Sequence, residues 1–240
     1  MVYYILKKRF IREVQKLTID KNESKLKRTF MKDEVYNKLR KWIITGELEP
    51  GTKLRDQDLS DTLGISRTPI REALLRLEND GLVVTKANRW TLVSPIDLKE
   101  AKSIYSIVWT LESLAMEQAF PSISSTDIEE LVQLNENLNK TLKTGNHFAK
   151  LQADNEFHDK IIQLSNNLEL PKLLSSLKVR IQRMEIHYFS KIDNKYTSYT
   201  EHQQILDAIK KQELNFAIDA IKANWKNSLD RIRQYTEHER

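Results

Sequence analysis

The sequence contains no cysteine, which excludes disulfide bonds, thiolate zinc sites and cysteine nucleophiles. It has only five glycines and five prolines among 240 residues, so few positions break a helix and a mostly α-helical protein is expected. No apolar stretch approaches the ~18 residues needed to cross a bilayer. Apolar residues precede the basic ones near the N-terminus, the reverse of a secretory signal. We therefore expect a cytoplasmic protein without a membrane partner.

Basic residues are concentrated in the first part of the chain. Residues 1–96 carry 20 lysines and arginines against 13 acidic residues, whereas residues 97–240 carry 19 against 21. This asymmetry suggests a polyanionic partner for the first part. Residues 1–31 alone hold 9 basic and 3 acidic groups, so most of the excess lies in a basic N-terminal arm. A solvated arm and a DNA contact both remain open on charge alone.

Residues 32–94 have the pattern of a winged helix-turn-helix domain. Apolar residues recur at helical spacing in three segments, and turn residues separate them. A β-hairpin pattern follows directly. The order helix, helix, turn, helix, hairpin is typical of this motif. The predicted elements are helices from Lys32 to about Gly46, at Asp56–Leu63 and from Ser66 to Asp80, and strands at Leu82–Thr85 and Trp90–Val93.

The first turn of the third helix carries the main candidates for DNA contact, Arg67, Thr68 and Arg71. This end of the helix points into the major groove in helix-turn-helix proteins. The planar guanidinium of arginine can bond O6 and N7 of one guanine together. Thr68 and the free N–H groups at the helix start suit phosphate. The further candidates are Ser66 at the helix start, Arg76 toward the DNA backbone and Arg89 at the wing tip.

Residues 95–240 contain no strand pattern and are predicted to form an all-helical bundle of about six helices. Such a bundle is expected to bind a ligand or to mediate dimerisation. The helices are predicted at about Leu98–Phe120, Ser125–Thr144, Phe148–Ser165, Pro171–Ser190, Tyr196–Lys211 and Leu214–Gln234.

Two polar groups on one predicted helix point toward the interior of this bundle. Asp154 and His158 are four residues apart and share a helix face with apolar residues. His202 lies on another helix, in line with Tyr199, and also faces inward. An aspartate and two imidazoles can bind Zn²⁺, Ni²⁺ or Mn²⁺. An Asp–His pair within one helix and a separate core histidine explain the same spacing.

The stretch from Gly46 to Gly51 and the run Leu63-Gly-Ile-Ser-Arg-Thr-Pro-Ile-Arg-Glu-Ala-Leu74 resemble the GntR family of bacterial regulators. The resemblance covers about 60 residues. It implies a winged-helix homodimer on a pseudo-palindromic double-stranded DNA operator, with Arg67 and Arg71 as base readers and Thr68 as a phosphate contact. Trp90 departs from the family pattern, because many members have glycine there, so the hairpin is expected to pack differently.

The helical part is similar to the FCD type of ligand-binding domain, which is attached to one branch of that family. Its metal motif matches Asp154, His158 and His202, and the fourth position falls on Asn224 instead of histidine. The resemblance implies that a divalent metal and the pocket together bind a small organic acid. We expect Arg180, Arg183 and Tyr199 to line this effector pocket. Many relatives have arginine where this chain has Val108.

These features predict a DNA-binding transcription regulator, a repressor, whose operator affinity is controlled by an organic acid bound in the helical domain. Two alternatives stay open. A metal-dependent hydrolase in the helical half is chemically feasible, because an Asp/His/His site with an open position can activate water. A metal sensor, in which the ion itself is the signal, uses the same residues.

Overall fold

The computed structural model describes the backbone of residues 24–86, 90–189 and 197–238, and the side chains of residues 31–86, 90–189 and 197–235. The predicted wing contact Arg89 and most of the predicted basic arm lie outside the described residues. The first described helix begins at Ser24, upstream of the boundary predicted at Lys32.

The N-terminal part is a winged helix-turn-helix, as predicted. Its elements are α1 (Ser24–Thr45), β1 (Lys53–Leu54), α2 (Asp56–Leu63), α3 (Arg67–Asn79), β2 (Val83–Lys86) and β3 (Trp90–Val93). Gly64 closes α2 in the left-handed region with φ 68°, where glycine has no steric penalty, and its N–H donates to the Ser60 carbonyl. This turn sets the angle at which α3 leaves α2.

The hairpin is part of a three-stranded antiparallel sheet in the order β1-β3-β2. Val83 pairs with Val93 and Lys86 pairs with Trp90, so the first strand of the wing, predicted to end at Thr85, extends to Lys86. The short strand β1 was not predicted, because two residues are too few to show alternation. Lys53 Nζ of β1 lies 4.0 Å from the centre of the Trp90 ring, so this tryptophan joins β3 to β1 through a cation–π contact.

The apolar stripe predicted for α3 is buried. Ile70 and Leu77 are fully enclosed and pack with Leu39 of α1 and Leu82 of the hairpin. Burying each of these side chains contributes about 1.5–3 kcal/mol. The opposite face of α3 is thereby left at the surface.

The C-terminal part is an all-helical bundle, as predicted. Its described helices are α4 (Leu98–Ala119), α5 (Ser125–Leu142), α6 (His147–Leu164), α7 (Leu170–Phe189), α8 (Thr197–Lys210) and α9 (Leu214–His238), with a short 3₁₀ turn at Phe120–Ser122. Helix α4 is central and packs against α6, α7 and α9, while α5 packs against α6 and α8. Among the helices of the described ranges, each one is too short or too polar to serve as a membrane span.

The two parts pack against each other mainly through α1 and α7. Leu151 of α6 and Val179 of α7 are buried in the core of the winged helix, and Ile186 of α7 packs against the same core. The Arg40 guanidinium donates to Gln182 Oε1 at 2.8 Å across this contact. Since α1 also packs on α3, it connects the helical bundle with the helix predicted to read DNA.

Candidate metal centre and DNA-binding face

Three side chains that can bind a metal converge inside the bundle. His158 Nε2 of α6 lies 3.3 Å from His202 Nε2 of α8, and His202 Nε2 lies 3.6 Å from Asp154 Oδ1. Both imidazoles are fully buried, and one ligand atom of each of the three residues lies within 4.8 Å of the others. The predicted inward face of α6 and the inward position of His202 therefore meet at one point.

Glu112 of α4 orients the first of these histidines. Its Oε2 lies 2.7 Å from His158 Nδ1 and accepts a hydrogen bond of 2.9 Å from Trp225 Nε1. A carboxylate on Nδ1 holds that nitrogen protonated and turns the Nε2 atom toward the site, which is the usual arrangement around a metal-binding histidine. The Phe157 ring stacks on His202 at 4.0 Å and restrains the second imidazole.

The charges around the two histidines differ. Burial would raise the pKa of Glu112, but His158 and Lys178 outweigh it and lower this pKa to about 2. Burial opposes charge on His158 as well, yet the adjacent Glu112 carboxylate raises the pKa of His158. Burial lowers the pKa of His202 to about 3, so this imidazole is neutral and has a lone pair for a ligand.

The residues fit a divalent cation. Two nitrogens at ~2.0–2.1 Å from one zinc ion in tetrahedral geometry are about 3.3 Å apart, which is the separation of the two Nε2 atoms. Asp154 Oδ1 and His202 Nδ1 are buried without a hydrogen-bond partner in the described structure. A buried polar group without a partner costs about 1–3 kcal/mol, so an ion that binds the Asp154 oxygen would relieve this cost. The simple Asp–His pair is not formed, because His158 Nδ1 pairs with Glu112 instead.

A small cavity of about 30 Å³ opens beside Asp154, between α6, α7 and α9. We call it the central cavity. In this conformation it has room for an ion or a water molecule but not for an organic acid. Asn224 lines it and is buried, and the Asn224 amide donates to Glu201 Oε2 at 2.9 Å. The cavity is lined by His147, Lys150, Leu151, Asp154, Glu185, Ile186, Phe189, Ser198, Asn224, Trp225, Ser228 and Arg231.

The cationic groups of the central cavity are Lys150 and Arg231, which the sequence did not single out. Burial lowers the pKa of Lys150, although Asp154 and Glu185 partly counteract this effect. Arg231 Nη1 donates to Glu201 Oε1 at 2.8 Å, while Arg231 Nε is buried without a partner in the described structure. Two donors for an anion are therefore present at this site.

Arg180, Arg183 and Tyr199, which were predicted to line an effector pocket, do not line the central cavity. Arg180 pairs with Glu100, and Arg183 donates to the carbonyl of Ser94, the residue directly after β3. Both arginines line a separate groove of about 430 Å³ beside the hairpin, on another face of α7. The Tyr199 hydroxyl donates to Glu136 Oε1 at 2.7 Å, and this side chain points toward α5.

Two further residues, Glu112 and Lys178, were not predicted from the sequence. Each is a charged side chain on a helix face that is otherwise apolar and buried, and this pattern could have identified them. Glu112 stands four residues from both Val108 and Met116, which are fully buried on α4. Lys178 stands four residues after the buried Leu174 on α7. Lys178 Nζ lies 2.6 Å from Asp159 Oδ1 and 3.5 Å from Glu112 Oε1. Val108, at the family arginine position, is part of the apolar core.

The exposed face of α3 brings the two predicted base readers together. Arg67 and Arg71 are 46% and 65% exposed, and both donate to the same oxygen of Asp56 on α2. Arg71 Nε lies 2.6 Å from Asp56 Oδ2, and Arg67 Nη2 lies 2.7 Å from it. Thr68 is exposed on the same turn.

Two other predicted DNA contacts have different surroundings. Ser66 is the N-cap residue of α3, but its side chain makes no capping hydrogen bond, so the first N–H groups of the helix stay available. Arg76 donates to Asp33 Oδ1 at 3.0 Å and stacks on Tyr36 at 3.7 Å. Arg76 therefore faces α1, away from Arg67 and Arg71.

Comparisons with known families agree with this division of the chain. The model of the bacterial regulatory proteins of the gntR family matches residues 31–93, and the FCD domain model matches residues 103–227. The chain is 31% identical over 158 residues to the HTH-type transcriptional regulator McbR of Escherichia coli, which covers 65% of this chain and 71% of McbR. It is 28% identical to the regulator YdhC of Bacillus subtilis, over 85% of this chain and 92% of YdhC.

Solved structures show the same fold. Escherichia coli McbR/YncC superposes with a TM-score of 0.75 at 23% identity, over 85% of this chain and 97% of that chain. A transcriptional regulator from Rhodococcus sp. RHA1 superposes with a TM-score of 0.71 at 20% identity, over 85% and 97%.

The buried charge of Glu112 generates a stability prediction. Glu112→Gln removes the counter-charge shared by His158 and Lys178, so we expect the free energy of unfolding at pH 7 to fall by about 3–5 kcal/mol. The Glu112 pKa is about 2 in the folded chain against an ordinary 4.5. Its stabilising effect is therefore present above pH 4.5 and is lost as the pH falls toward 2. The variant should lose less stability than the wild type across that window.

Urea denaturation between pH 2 and 8 measures both effects. Glu117→Gln is the matched control, because Glu117 is exposed on the same helix and its substitution should change stability by about 0.5 kcal/mol or less. Equal stabilities of the two variants at pH 7 would contradict the role given to Glu112.

Proposed function

This chain is a transcriptional regulator of the GntR family with a C-terminal FCD domain, and we propose that it represses transcription by binding an operator that a small organic acid releases. The acid would bind in the central cavity, beside a divalent metal. The observation that most supports the proposal is the packing of Leu151 and Ile186, which line the cavity and also contact the core of the winged helix. The hydrolase alternative finds no support, because the matched families and relatives are regulators, not enzymes.

The DNA-binding part of the proposal rests on α3. Its first turn presents Arg67, Thr68 and Arg71 at the surface, and the uncapped N–H groups of the turn are available to a phosphate. Two chains on one pseudo-palindromic operator would place two such helices in successive major grooves. Arg76 is a weaker candidate, because it already pairs with Asp33.

Replacing one of the two exposed arginines of α3 should weaken operator binding without unfolding the domain. We expect Arg71→Ala to weaken binding to the operator by about 10- to 100-fold, because a bidentate contact to guanine is worth about 1–3 kcal/mol. Arg76→Ala is the matched control on the same helix and should retain most of the affinity. Fluorescence anisotropy at fixed salt, with an operator enriched from a random DNA library by the wild type, measures both. Operator affinities that fall equally in the two variants would contradict the assignment.

The metal part of the proposal rests on Asp154, His158 and His202, with Asn224 at the fourth position. A bound divalent cation would supply a Lewis-acidic position for a carboxylate oxygen. The chain's own residues do the rest: Glu112 orients His158, and Phe157 holds the His202 ring. Lys150 and Arg231 would attract the acid, in place of the arginines predicted from the sequence.

Metal titration tests this site directly. We expect one Zn²⁺, Ni²⁺ or Mn²⁺ ion per chain in chelator-stripped protein, measured by isothermal titration calorimetry, and a higher melting temperature when the ion is bound. His202→Ala should weaken this binding by about 100-fold or more, because it removes a direct ligand. His147→Ala, a histidine at the cavity rim outside the cluster, should leave it unchanged. Unaltered affinity in His202→Ala would sink the assignment.

The same preparations separate an acid-responsive regulator from a metal sensor. If the ion itself is the signal, loading the stripped protein with Zn²⁺ alone changes operator affinity. In the proposed function, the loaded protein keeps its operator affinity until an organic acid is added. By linkage, DNA and acid then change each other's affinity by the same factor.

A further inference from the structure

The central cavity contains a carboxyl group that a simple carboxylate-binding site does not need. Glu185 of α7 lines the cavity and is 7% exposed. The Ser228 hydroxyl donates to Glu185 Oε1 at 2.5 Å, and the Tyr105 hydroxyl donates to the same oxygen at 3.2 Å. Both hydrogen bonds are made to Oε1, and Glu185 lines the cavity, so a ligand there could donate a hydrogen bond to this carboxyl group.

The remaining charges of the cavity are arranged around Glu185. Lys150 and Arg231, from α6 and α9, offer positive charge, and no described carboxylate lies within ion-pair distance of Lys150. Asp154 lies on the metal side. Glu185 and Asp154 both line the cavity, so a second anionic group of a ligand would lie close to these two carboxyl groups.

We infer that the effector is a small acid with one carboxylate and a hydrogen-bond donor, an amino acid or a hydroxy acid, whose donor group faces Glu185. This inference rests on the effector site of the proposed function and narrows its ligand class. A dicarboxylate would place its second negative group against Glu185 and Asp154, whereas an ammonium or hydroxyl group could donate a hydrogen bond to Glu185.

A four-carbon series of acids tests the inference in the full-length, Zn²⁺-loaded protein. The probes are butyrate, 2-hydroxybutyrate, 2-aminobutyrate and succinate, which share their carbon number and differ in one group. We expect the amino or hydroxy acid to bind about 10- to 100-fold more tightly than butyrate, as measured by isothermal titration calorimetry, and succinate to bind no better than butyrate. This ranking tests the inference without a variant.

Glu185→Gln changes the cavity acceptor into an amide that also donates. The advantage of the amino or hydroxy acid over butyrate should shrink by about tenfold, and succinate should gain. Glu156→Gln, exposed on α6, should keep the wild-type ranking. If succinate or butyrate binds tightest to the wild type, the inferred ligand class is wrong, but the cavity is still supported as an acid-binding site. If none of the four acids binds, both the inferred ligand class and the proposed effector site are contradicted. The DNA-binding part of the proposal is tested independently by the operator measurements.

A second inference comes from Asp56, which receives three hydrogen bonds from the two arginines on α3. Its Oδ2 atom accepts from Arg71 Nε and from both Nε and Nη2 of Arg67, at 2.6, 3.1 and 2.7 Å. These hydrogen bonds hold the two long arginine side chains in one conformation. They leave the other guanidinium N–H groups available for contact with DNA. Fixing rotamers before binding reduces the entropy lost on association.

We propose that Asp56 is a positioning residue that makes the two arginines selective for bases. A negative charge close to DNA weakens general attraction to phosphate, so a residue kept only for affinity would not be acidic. Holding the guanidinium groups away from the phosphates favours contact with base edges, which is where sequence is read.

Asp56→Ala and Asp58→Ala form a matched pair, because both remove one negative charge from the first turn of α2. No side-chain hydrogen bond is described for Asp58, which is exposed. We expect Asp58→Ala to strengthen binding to the enriched operator and to random DNA by similar factors. Asp56→Ala should strengthen binding to random DNA only, so that the ratio of the two affinities falls about tenfold. An unchanged ratio in Asp56→Ala, measured by anisotropy at matched salt, would overturn the proposal.

Discussion

The buried carboxylate of Glu112 is the interaction on which the rest of the bundle depends. It joins α4 to His158 on α6, Trp225 on α9 and Lys178 on α7. A single charge in a dry interior is costly unless it is paired and hydrogen-bonded, and here one carboxylate satisfies both conditions. The four helices cannot shift independently without breaking part of this network. The site beside it is therefore presented by a rigid frame, with the His158 ring orientation already set.

Helix α7 connects the helices around Glu112 with the winged helix, because different faces of α7 contact different parts of the molecule. Glu185 and Ile186 face the central cavity, Lys178 reaches Glu112, and Val179 lies in the winged-helix core. Helix α1 packs on α7 and also on α3. A displacement of α7 is thus passed to α3 through packed side chains, since a close-packed interior moves in blocks and does not deform continuously.

Local patterns allowed much of this molecule to be predicted from the sequence. The Ser66–Leu74 run, the hairpin and the position of Asp154 and His158 on one helix depend on residues close in the chain, and the described structure confirms the elements that carry them. Contacts between distant segments were not accessible in that way. Glu112 meets His158 across 46 residues and Trp225 across 113. The position of Arg180 and Arg183 in a separate groove could not be predicted, because helical periodicity groups residues by face but does not say which neighbour a polar face meets.

The small size of the central cavity suggests how ligand binding would affect the helices around it. At about 30 Å³ the cavity would have to widen to hold an organic acid, and two of its lining residues, Leu151 of α6 and Ile186 of α7, also pack on the winged-helix core. A ligand that displaced these two residues would disturb the apolar core in which α1 packs. In the proposed function, the conformation that binds the operator would, by reciprocity, resist that widening. In the proposed function, the acid and the operator would compete through α1 and α7 without touching each other, and the differential affinity of the ligand for the two conformations would limit how far it shifts the equilibrium.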